Sequence, residues 1–349
     1  QDHGSLSDVV TSGSTGVPVK VRRTELTALL WEAITLRDHA WHQRDFDATL
    51  AGVRWYPDDV AAYPHGASWP DWGPPAAEIC STAPSFGLSV TASASEQAEW
   101  LSRIQPEYLV VFPSLLPQLA RECVAQDVRL DRLRQIHTVG ECLPAGLRAL
   151  CARQWGVPVR DTYSAHEVGY IALQCPLHDH YHAQSECILV EVLDAQGRAC
   201  EAGEIGRVVV TPLHNYAIPL LRYALGDYAE AGAPCACGRG LRVLSRVLGR
   251  SRNMLTLPDG RRVWPRLSEL EYGDVLPVTQ FQVIQKDATR LEVRLVAERA
   301  GTPEEERRLR ATIVERIGYP FEVVFSYPDH IARGAGGKFE DFRSEVSAA

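Results

Sequence analysis

The sequence predicts an α/β protein: a core built on a parallel sheet, then a β-rich subdomain, then a small C-terminal α+β domain. Three observations predict it. Short apolar runs alternate with helical periodicity between residues 49 and 163, the pattern of parallel βαβ units. Beyond about residue 186 strand-like runs follow one another with no long helix before residue 302. The last stretch, from residue 250, reads strand, strand, helix, strand.

Each element follows from local chemistry. Leu26, Leu29, Leu30, Ala33 and Ile34 recur at helical spacing, with Thr24 placed to cap the start. "TLAGVRWY" (49–56), "EYLVVFP" (107–113), "RQIHTVG" (134–140) and "VPVRDTY" (157–163) read as buried strands. Ser114 is expected to cap a helix reaching about Gln126, and a second helix is expected from Pro144 to Trp155. Between the first strand and the next lies "WYPDDVAAYPHGASWPDWGPP" (55–75), a long aromatic loop, and long loops carry function more often than short ones. "CILVEVLDAQGR" and "GRVVVTP" are strands joined through a glycine-containing turn. "FQVIQKDATRLEVRLVAE" gives two alternating runs about Asp287-Ala288. A helix follows with Thr302 as cap, Pro303 at its first position and Glu304 to Glu306 at the positive end of its dipole. The expected division is 1–249 for a large domain, with its β-rich subdomain over about 186–249, and 250–349 for the small one.

Composition excludes several classes. The chain has 349 residues and a formal net charge of −8, and its basic residues are scattered. Nucleic acid and an anionic membrane are therefore not expected as partners. No run approaches the roughly 20 apolar residues of a membrane span. Nine cysteines lie between Cys80 and Cys237, and those such as Cys123, Cys151 and Cys187 sit in apolar surroundings, which suits reduced thiols and a cytoplasmic location.

Seven stretches carry candidate chemistry. "TSGSTG" (11–16) offers Gly13 and Gly16 for close backbone approach and Thr11, Ser12, Ser14 and Thr15 as hydroxyl donors, with Lys20 nearby. Alone it is either a phosphate loop or a flexible turn. Gly140 and Glu141 end one strand, and Asp161, Tyr163, Ser164, His166 and Glu167 lie at the end of another, where α/β sheets bind ligands. Tyr163 suits stacking on a base, and Glu167 suits a magnesium ion. "LRYALGD" (221–227) sets Arg222 and Asp227 five apart in an expected tight turn, with Asp227 able to accept ribose hydroxyls. "GAGGKFEDF" (334–342) places Lys338 in a glycine-rich loop able to deliver a cation. Finally "CPLHDHYH" (175–182) and "CAC" (235–237) flank the β subdomain, so Cys175, Cys235 and Cys237 with one of His178, His180 or His182, for preference His182, form a candidate structural Zn²⁺ site.

In this order, "TSGSTG", "GE", "YSAHE", "RYALGD", "GRSRN" and "GGK" resemble the adenylate-forming superfamily, and within it the phenylacetate–CoA ligases and their aryl-acid relatives. The resemblance runs from about residue 11 to 343. It implies ATP-dependent activation of an aromatic carboxylic acid to an acyl-adenylate, followed by thioester formation with coenzyme A. By similarity, Ser12 to Gly16 grip the phosphates, while Gly140, Glu141, Asp161 and Tyr163 frame the adenine. Glu167 serves Mg²⁺, Asp227 and Arg250 hold the ribose, and Lys338 contacts the carboxylate and α-phosphate. The C-terminal domain would swing about "GRSRN". Two positions depart from the pattern: His166 stands where the family has Thr or Ser, and Arg252-Asn253 where its hinge has an acid. The segment the family carries ahead of its phosphate loop is missing, so a short or trimmed member is expected. Trp55, Tyr56, Tyr63, Trp69, Trp72 and Phe86 are the expected lining of an aryl pocket, with His65 and Ser164 set to read a ring substituent. The alternative acceptors are a carrier-protein thiol or an amine. The alternative from another class is a nucleotide-binding protein whose catalysis has lapsed. A homodimer is compatible with all of these.

Overall fold

The computed structural model describes residues 3–10, 20–57, 59–265, 267 and 275–346. Its contacts divide the chain into two compact units. The first takes in residues 1–143, 147–248 and 335–337, and the second 144–146, 249–334 and 338–349.

In the first unit, β1 (Leu6–Val10) and β2 (Lys20–Thr24) form an antiparallel hairpin that leads into α1 (Glu25–Trp41). Thr24 caps that helix, its hydroxyl accepting from the Thr27 N–H at 3.2 Å. Then come β3 (Leu50–Arg54), β4 (Ala67–Trp69), the short α2 (Ala76–Ile79), β5 (Ser85–Ser89), α3 (Ala94–Ile104) and β6 (Tyr108–Val111). They are followed by α4 (Leu116–Ala125), β7 (Gln135–Val139), α5 (Leu147–Trp155), β8 (Val159–Ala165), β9 (Gly169–Gln174) and β10 (Tyr181–Ala183). The last strands are β11 (Ile188–Leu193), β12 (Ile205–Pro212), β13 (Tyr223–Ala231) and β14 (Val243–Arg250). Among the described residues these strands, β1 and β2 apart, make one 12-stranded sheet ordered β11-β12-β13-β14-β10-β9-β8-β7-β6-β3-β5-β4. Its centre, β5-β3-β6-β7-β8, is parallel, and β8–β9, β9–β10, β10–β14, β11–β12, β12–β13 and β4–β5 pair antiparallel. The alternating α/β core and the β-rich continuation are thus halves of one sheet.

Side chains alternate across a strand, and the two faces of β7 differ accordingly. Ile136 is fully buried with Val53, Leu88 and Leu109 under Trp100 and Leu101 of α3, Leu116 and Leu119 of α4 and Cys151 of α5. His137 faces the other way, into a buried charged cluster with α1. Asp38 accepts from Arg44 at 2.5 Å and lies 3.4 Å from His42 Nε2 and 3.9 Å from His137 Nε2. Arg44 in turn donates to Gln135 Oε1 at 2.8 Å and meets His39 Nδ1 at 3.0 Å. Of α1's apolar positions Ile34 is buried, whereas Leu29 is exposed, so its inner face is partly ionic.

This cluster carries a pH prediction. Burial, with the positive charge of Arg44 as a further cause, lowers His39 and His137 to about 4 and about 3. Burial is also the largest cause for His42, lowered to about 4 against the opposing pull of Asp38. The unfolded chain then binds more protons than the folded one between these values and the ordinary 6.5. The stability this confers is complete above pH 6.5 and is lost as pH falls through 4. Asp161, raised to about 6, opposes the trend over part of the window, but it is one carboxyl against three imidazoles. The urea midpoint is expected to fall as pH is lowered from 6.5 to 4, and a flat midpoint would contradict the assignment.

The second unit holds β15 (Leu255–Thr256), β16 (Arg262–Val263), β17 (Val278–Gln285), β18 (Arg290–Ala297), α6 (Pro303–Ile317), β19 (Glu322–Ser326) and β20 (Phe342–Ser344). Four of these strands form a sheet ordered β19-β18-β17-β20. Leu309 and Ile313 of α6 bury against Val283, Leu291, Val293 and Val323. Thr302 and Glu305 make a capping box at the start of α6, with Pro303 in its first turn.

Three expected features differ. Ser114 is no helix cap: a 3₁₀ turn, Pro113–Leu115, intervenes before α4. The helix expected from Pro144 starts at Leu147. Asp227 lies within β13 and not in a tight turn.

Candidate functional site

The carboxyl ends of β6, β7 and β8 are knitted together. Beyond β7 the chain turns at Gly140 with φ of +81°, a conformation that a side chain rarely adopts. Next to it the Glu141 carboxylate accepts from Ser114 N at 2.9 Å and Ser114 Oγ at 3.1 Å, tying the residues after β7 to those after β6. On β8, Asp161 is 5 % exposed and accepts from Thr138 Oγ1 at 2.6 Å and Tyr181 Oη at 2.5 Å. Burial raises its carboxyl to about 6 despite these donors. Its two oxygens therefore serve the sheet interior.

Two residues on, the Tyr163 hydroxyl donates to Asp227 Oδ2 at 2.8 Å. Asp227 reaches it because β13 bulges: the pairing with β12 slips between Arg207 and Val209, and Gly226 there has φ of +82°. A bulge of this kind re-aims one side chain while the strand continues. Arg222 turns elsewhere, donating to both oxygens of Glu191 at 3.2 Å.

The turn between β8 and β9 carries His166, which is exposed, and Glu167, which is half-buried. Ser164 sits at a register shift next to Tyr163. Arg23 of β2 donates to the His166 carbonyl at 3.4 Å and lies 4.5 Å over the Trp31 ring. Trp31 packs on Tyr170 and closely over Gly169. Asn215 donates to the Arg22 carbonyl at 2.9 Å. The β1–β2 hairpin is thereby fastened to the turn bearing His166 and Glu167. Thr11, Ser12, Gly13, Ser14, Thr15 and Gly16 belong to residues 11–19, which join the two strands and lie outside the described residues. Arg250 and Lys338 belong to the second unit. The Lys338 carbonyl accepts from Gly334 N at 2.8 Å, and Gly336 and Gly337, with φ of +75° and +77°, turn the intervening loop.

The cysteine–histidine group converges. Antiparallel pairing sets Tyr181 of β10 opposite Gln174 of β9 and Leu244 of β14, so His182 lies close to Cys175 just past β9. The link between β13 and β14 brings Cys235 and Cys237. One donor atom from each of Cys175, His182, Cys235 and Cys237 lies within 4.8 Å of the others, and Cys237 Sγ is 3.3 Å from His182 Nε2. Zinc–sulfur bonds of about 2.3 Å need sulfurs somewhat under 4 Å apart, so the donor set fits a tetrahedral ion. Cys175 and His182 are fully buried, and Trp41 stands edge-on to the imidazole at 5.8 Å. His178 and His180 stack on each other at 5.0 Å beside the group.

The aromatic residues divide. Trp72 packs between Phe46, His39 and Tyr108 and donates to the Ala48 carbonyl at 3.0 Å, and Tyr63 donates to Glu99 at 2.6 Å, so both serve the fold. Tyr56 and Trp69 stack at 6.0 Å over Gly52 and Gly87, which pair across β3 and β5. A Cβ at Gly87 would stand 2.6 Å from the Tyr56 hydroxyl, so glycine makes this shelf flat. Trp55 is exposed nearby in sequence, Phe86 is half-buried, and exposed His65 gives its carbonyl to Trp100 Nε1 at 3.1 Å. Sequence reasoning missed Ser114, Tyr181 and Arg23 as partners of site residues. All three act across long sequence separations, of 27, 20 and 143 residues.

Known proteins resemble this chain in sequence and in fold. A family profile described as the CapK C-terminal domain matches residues 268–344. The phenylacetate–coenzyme A ligase of Thermus thermophilus is 27 % identical over 277 residues, covering 69 % of this chain and 61 % of that one. The Escherichia coli ligase of the same name is 26 % identical, covering 72 % and 62 %. The chain thus spans about three fifths of the length of these relatives. In solved structures, a 2-hydroxyisobutyryl-CoA ligase bound to 2-HIB-AMP superposes with a TM-score of 0.71 at 17 % identity, over 98 % of this chain and 73 % of that one. An anthranilate CoA ligase bound to anthranoyl-AMP gives 0.69 at 19 %, over 95 % and 65 %. No helix among the described residues is long and apolar enough to cross a membrane. By sequence the chain is similar to phenylacetate–coenzyme A ligases, and its fold is that of the acyl-CoA ligases whose structures superpose on it.

Proposed function

We propose that the chain activates an aromatic carboxylic acid with ATP and transfers the acyl group to coenzyme A. A carboxylate oxygen attacks the α-phosphorus, the α–β phosphoanhydride bond breaks, and pyrophosphate leaves with the bonding pair. The thiol sulfur then attacks the acyl carbon, AMP leaves, and the thiol proton passes to solvent. The difficulty is charge, since two anions must meet, and donors set where negative charge gathers lower the barrier.

Residues 12–16 would grip the phosphates, Gly140, Glu141 and Tyr163 would frame the adenine with Asp161 bracing them from the sheet interior, and Asp227 with Arg250 would bind the ribose. Glu167 is the carboxylate suited to Mg²⁺, whose charge offsets that of the phosphates. His166 and Lys338 would donate to the α-phosphate or acyl carboxylate. Cys175, His182, Cys235 and Cys237 would close the sphere of a structural Zn²⁺. The Tyr56–Trp69 shelf favours a flat ring in the acid. Coenzyme A is favoured as acceptor by the similarity to phenylacetate–coenzyme A ligases.

The single observation that carries this reading is the 2.8 Å Tyr163–Asp227 hydrogen bond, which unites two motifs 64 residues apart. It leaves a carboxylate held rigidly beside the ends of β7 and β8, as a ribose acceptor requires. Pyrophosphate exchange with a panel of benzoate-like acids tests it. Asp227→Ala is expected to raise the KM for ATP by about 10–100-fold, the loss of a hydrogen bond to a charged group, while the KM for the acid holds. Tyr163→Phe should show the same change in smaller measure. ATP binding without exchange for any acid would instead favour a lapsed enzyme. Mass spectrometry after adding coenzyme A then reads the thioester directly.

A further inference from the structure

The second unit ties its Lys338 loop to the segment that opens it. After Gly249, whose φ is +102°, and Arg250, residues Ser251–Asn253 form a 3₁₀ turn. Arg252 Nε and Nη2 donate to Glu340 Oε1 at 2.9 and 2.6 Å, across 88 residues of sequence. Asn253 Nδ2 approaches the same oxygen at 3.4 Å and donates to the Phe342 carbonyl at 2.7 Å. Asn253 Oδ1 accepts from Arg250 N at 3.0 Å, fixing the turn itself. From β17, Gln282 Nε2 donates to the Glu340 carbonyl at 2.9 Å. On the other side of the lysine, the Arg333 guanidinium lies 5.5 Å over the Phe339 ring, and Gly334 N closes the loop on the Lys338 carbonyl at 2.8 Å.

Phe339, Glu340 and Phe342, which follow Lys338, are therefore held by named partners, Asp341 between them gives its carbonyl to Val283 N at 2.7 Å, and the charged partner comes from the 250–253 turn. The Arg252–Glu340 side chains are 27 % and 31 % exposed, sheltered enough for a charge-assisted pair to matter more than one on open surface. We infer that Arg252 and Glu340 are positioning residues for Lys338: they lock the lysine loop to the turn after Gly249, so that the two move as one rigid arm. The inference rests on the proposed function for Lys338's role, but the lock itself can be measured without it.

The experiment compares the full chain with Arg252→Met, Arg252→Lys, Glu340→Gln and the Arg252→Met/Glu340→Gln double variant. Amide hydrogen exchange in peptides spanning 333–341 is expected to quicken about tenfold in Arg252→Met and in Glu340→Gln, the scale of one charge-assisted hydrogen bond. The double variant should be no faster than either single, because both remove the same pair. Arg252→Lys should recover most of the protection. In pyrophosphate exchange kcat should fall in parallel while the KM for ATP stays put. Unchanged protection, or additive effects in the double variant, overturns the lock. If the wild type shows no pyrophosphate exchange, the proposed function falls while hydrogen exchange still decides the lock. Should Arg252→Met fail to melt cooperatively, Glu340→Gln and Arg252→Lys decide it.

Discussion

Lys338→Ala is expected to lower pyrophosphate exchange by about 10²–10³-fold, the cost of removing one charged donor from a site where negative charge develops, while equilibrium ATP binding is nearly retained. The asymmetry follows from what the proposed chemistry asks. In that reading the ground-state phosphates would be met by loop amides, hydroxyls and Mg²⁺, so one ammonium would add little to binding. In the transition state the entering carboxylate and the departing pyrophosphate share charge about one phosphorus, and a cation near both stabilises that arrangement selectively. Lys338→Arg is not expected to restore activity, since a planar, forked guanidinium cannot take the place of a compact ammonium in a loop turned by Gly336 and Gly337. Exchange assays beside equilibrium ATP binding check this. Wild-type exchange rates in Lys338→Ala would remove the lysine from the mechanism.

Sequence reading succeeded where the physics is local and failed where a side chain's partner is distant. Thr24 and Thr302 were legible as caps because a hydroxyl bonds an N–H three residues on. The strands at 50–54, 108–111 and 135–139 announced themselves as short apolar runs. β5 and α3 went unread, because the Pro- and Trp-rich stretch before them masks a five-residue strand whose own middle is a glycine. Ser114 looked like a cap, yet it is claimed by Glu141, 27 residues away. Gly226-Asp227 carries the dipeptide chemistry of a turn, and the same positive φ serves a bulge inside β13 instead. On α1 the apolar spacing was legible, but Asp38 and His42 pack toward β7, where His137 gave no periodic signal. In the cysteine–histidine group, by contrast, few residue types can bind zinc, so composition narrowed the choice before any geometry did.

Replacing a member of that group is expected to have the largest effect on stability. The purified chain should carry one zinc ion, and Cys175→Ser should lose it along with on the order of 5 kcal/mol or more of folding free energy, since structural zinc binding is coupled to folding. That corresponds to a fall of roughly 10–20 °C in Tm for a domain of this size. The reasons lie in the site. The four donors come from three segments, the end of β9, β10, and the link between β13 and β14, so the ion would cross-link the middle of the sheet. Burial tends to raise the Cys237 thiol, but the Arg239 N–H and its neighbours outweigh this and hold it at about 7, so a thiolate is at hand. Burial raises the Cys175 thiol, with the charges of Cys237 and Cys235 adding to the effect, so three crowded sulfurs without a cation are an unfavourable arrangement. His178→Ala and His180→Ala should leave the zinc content unchanged, because His182 is the histidine that joins the three sulfurs. Elemental analysis with thermal melting, before and after chelation, measures both quantities. Retention of full Tm in Cys175→Ser, or a chain with no zinc and no response to chelator, would leave these residues as packed thiols beside an imidazole.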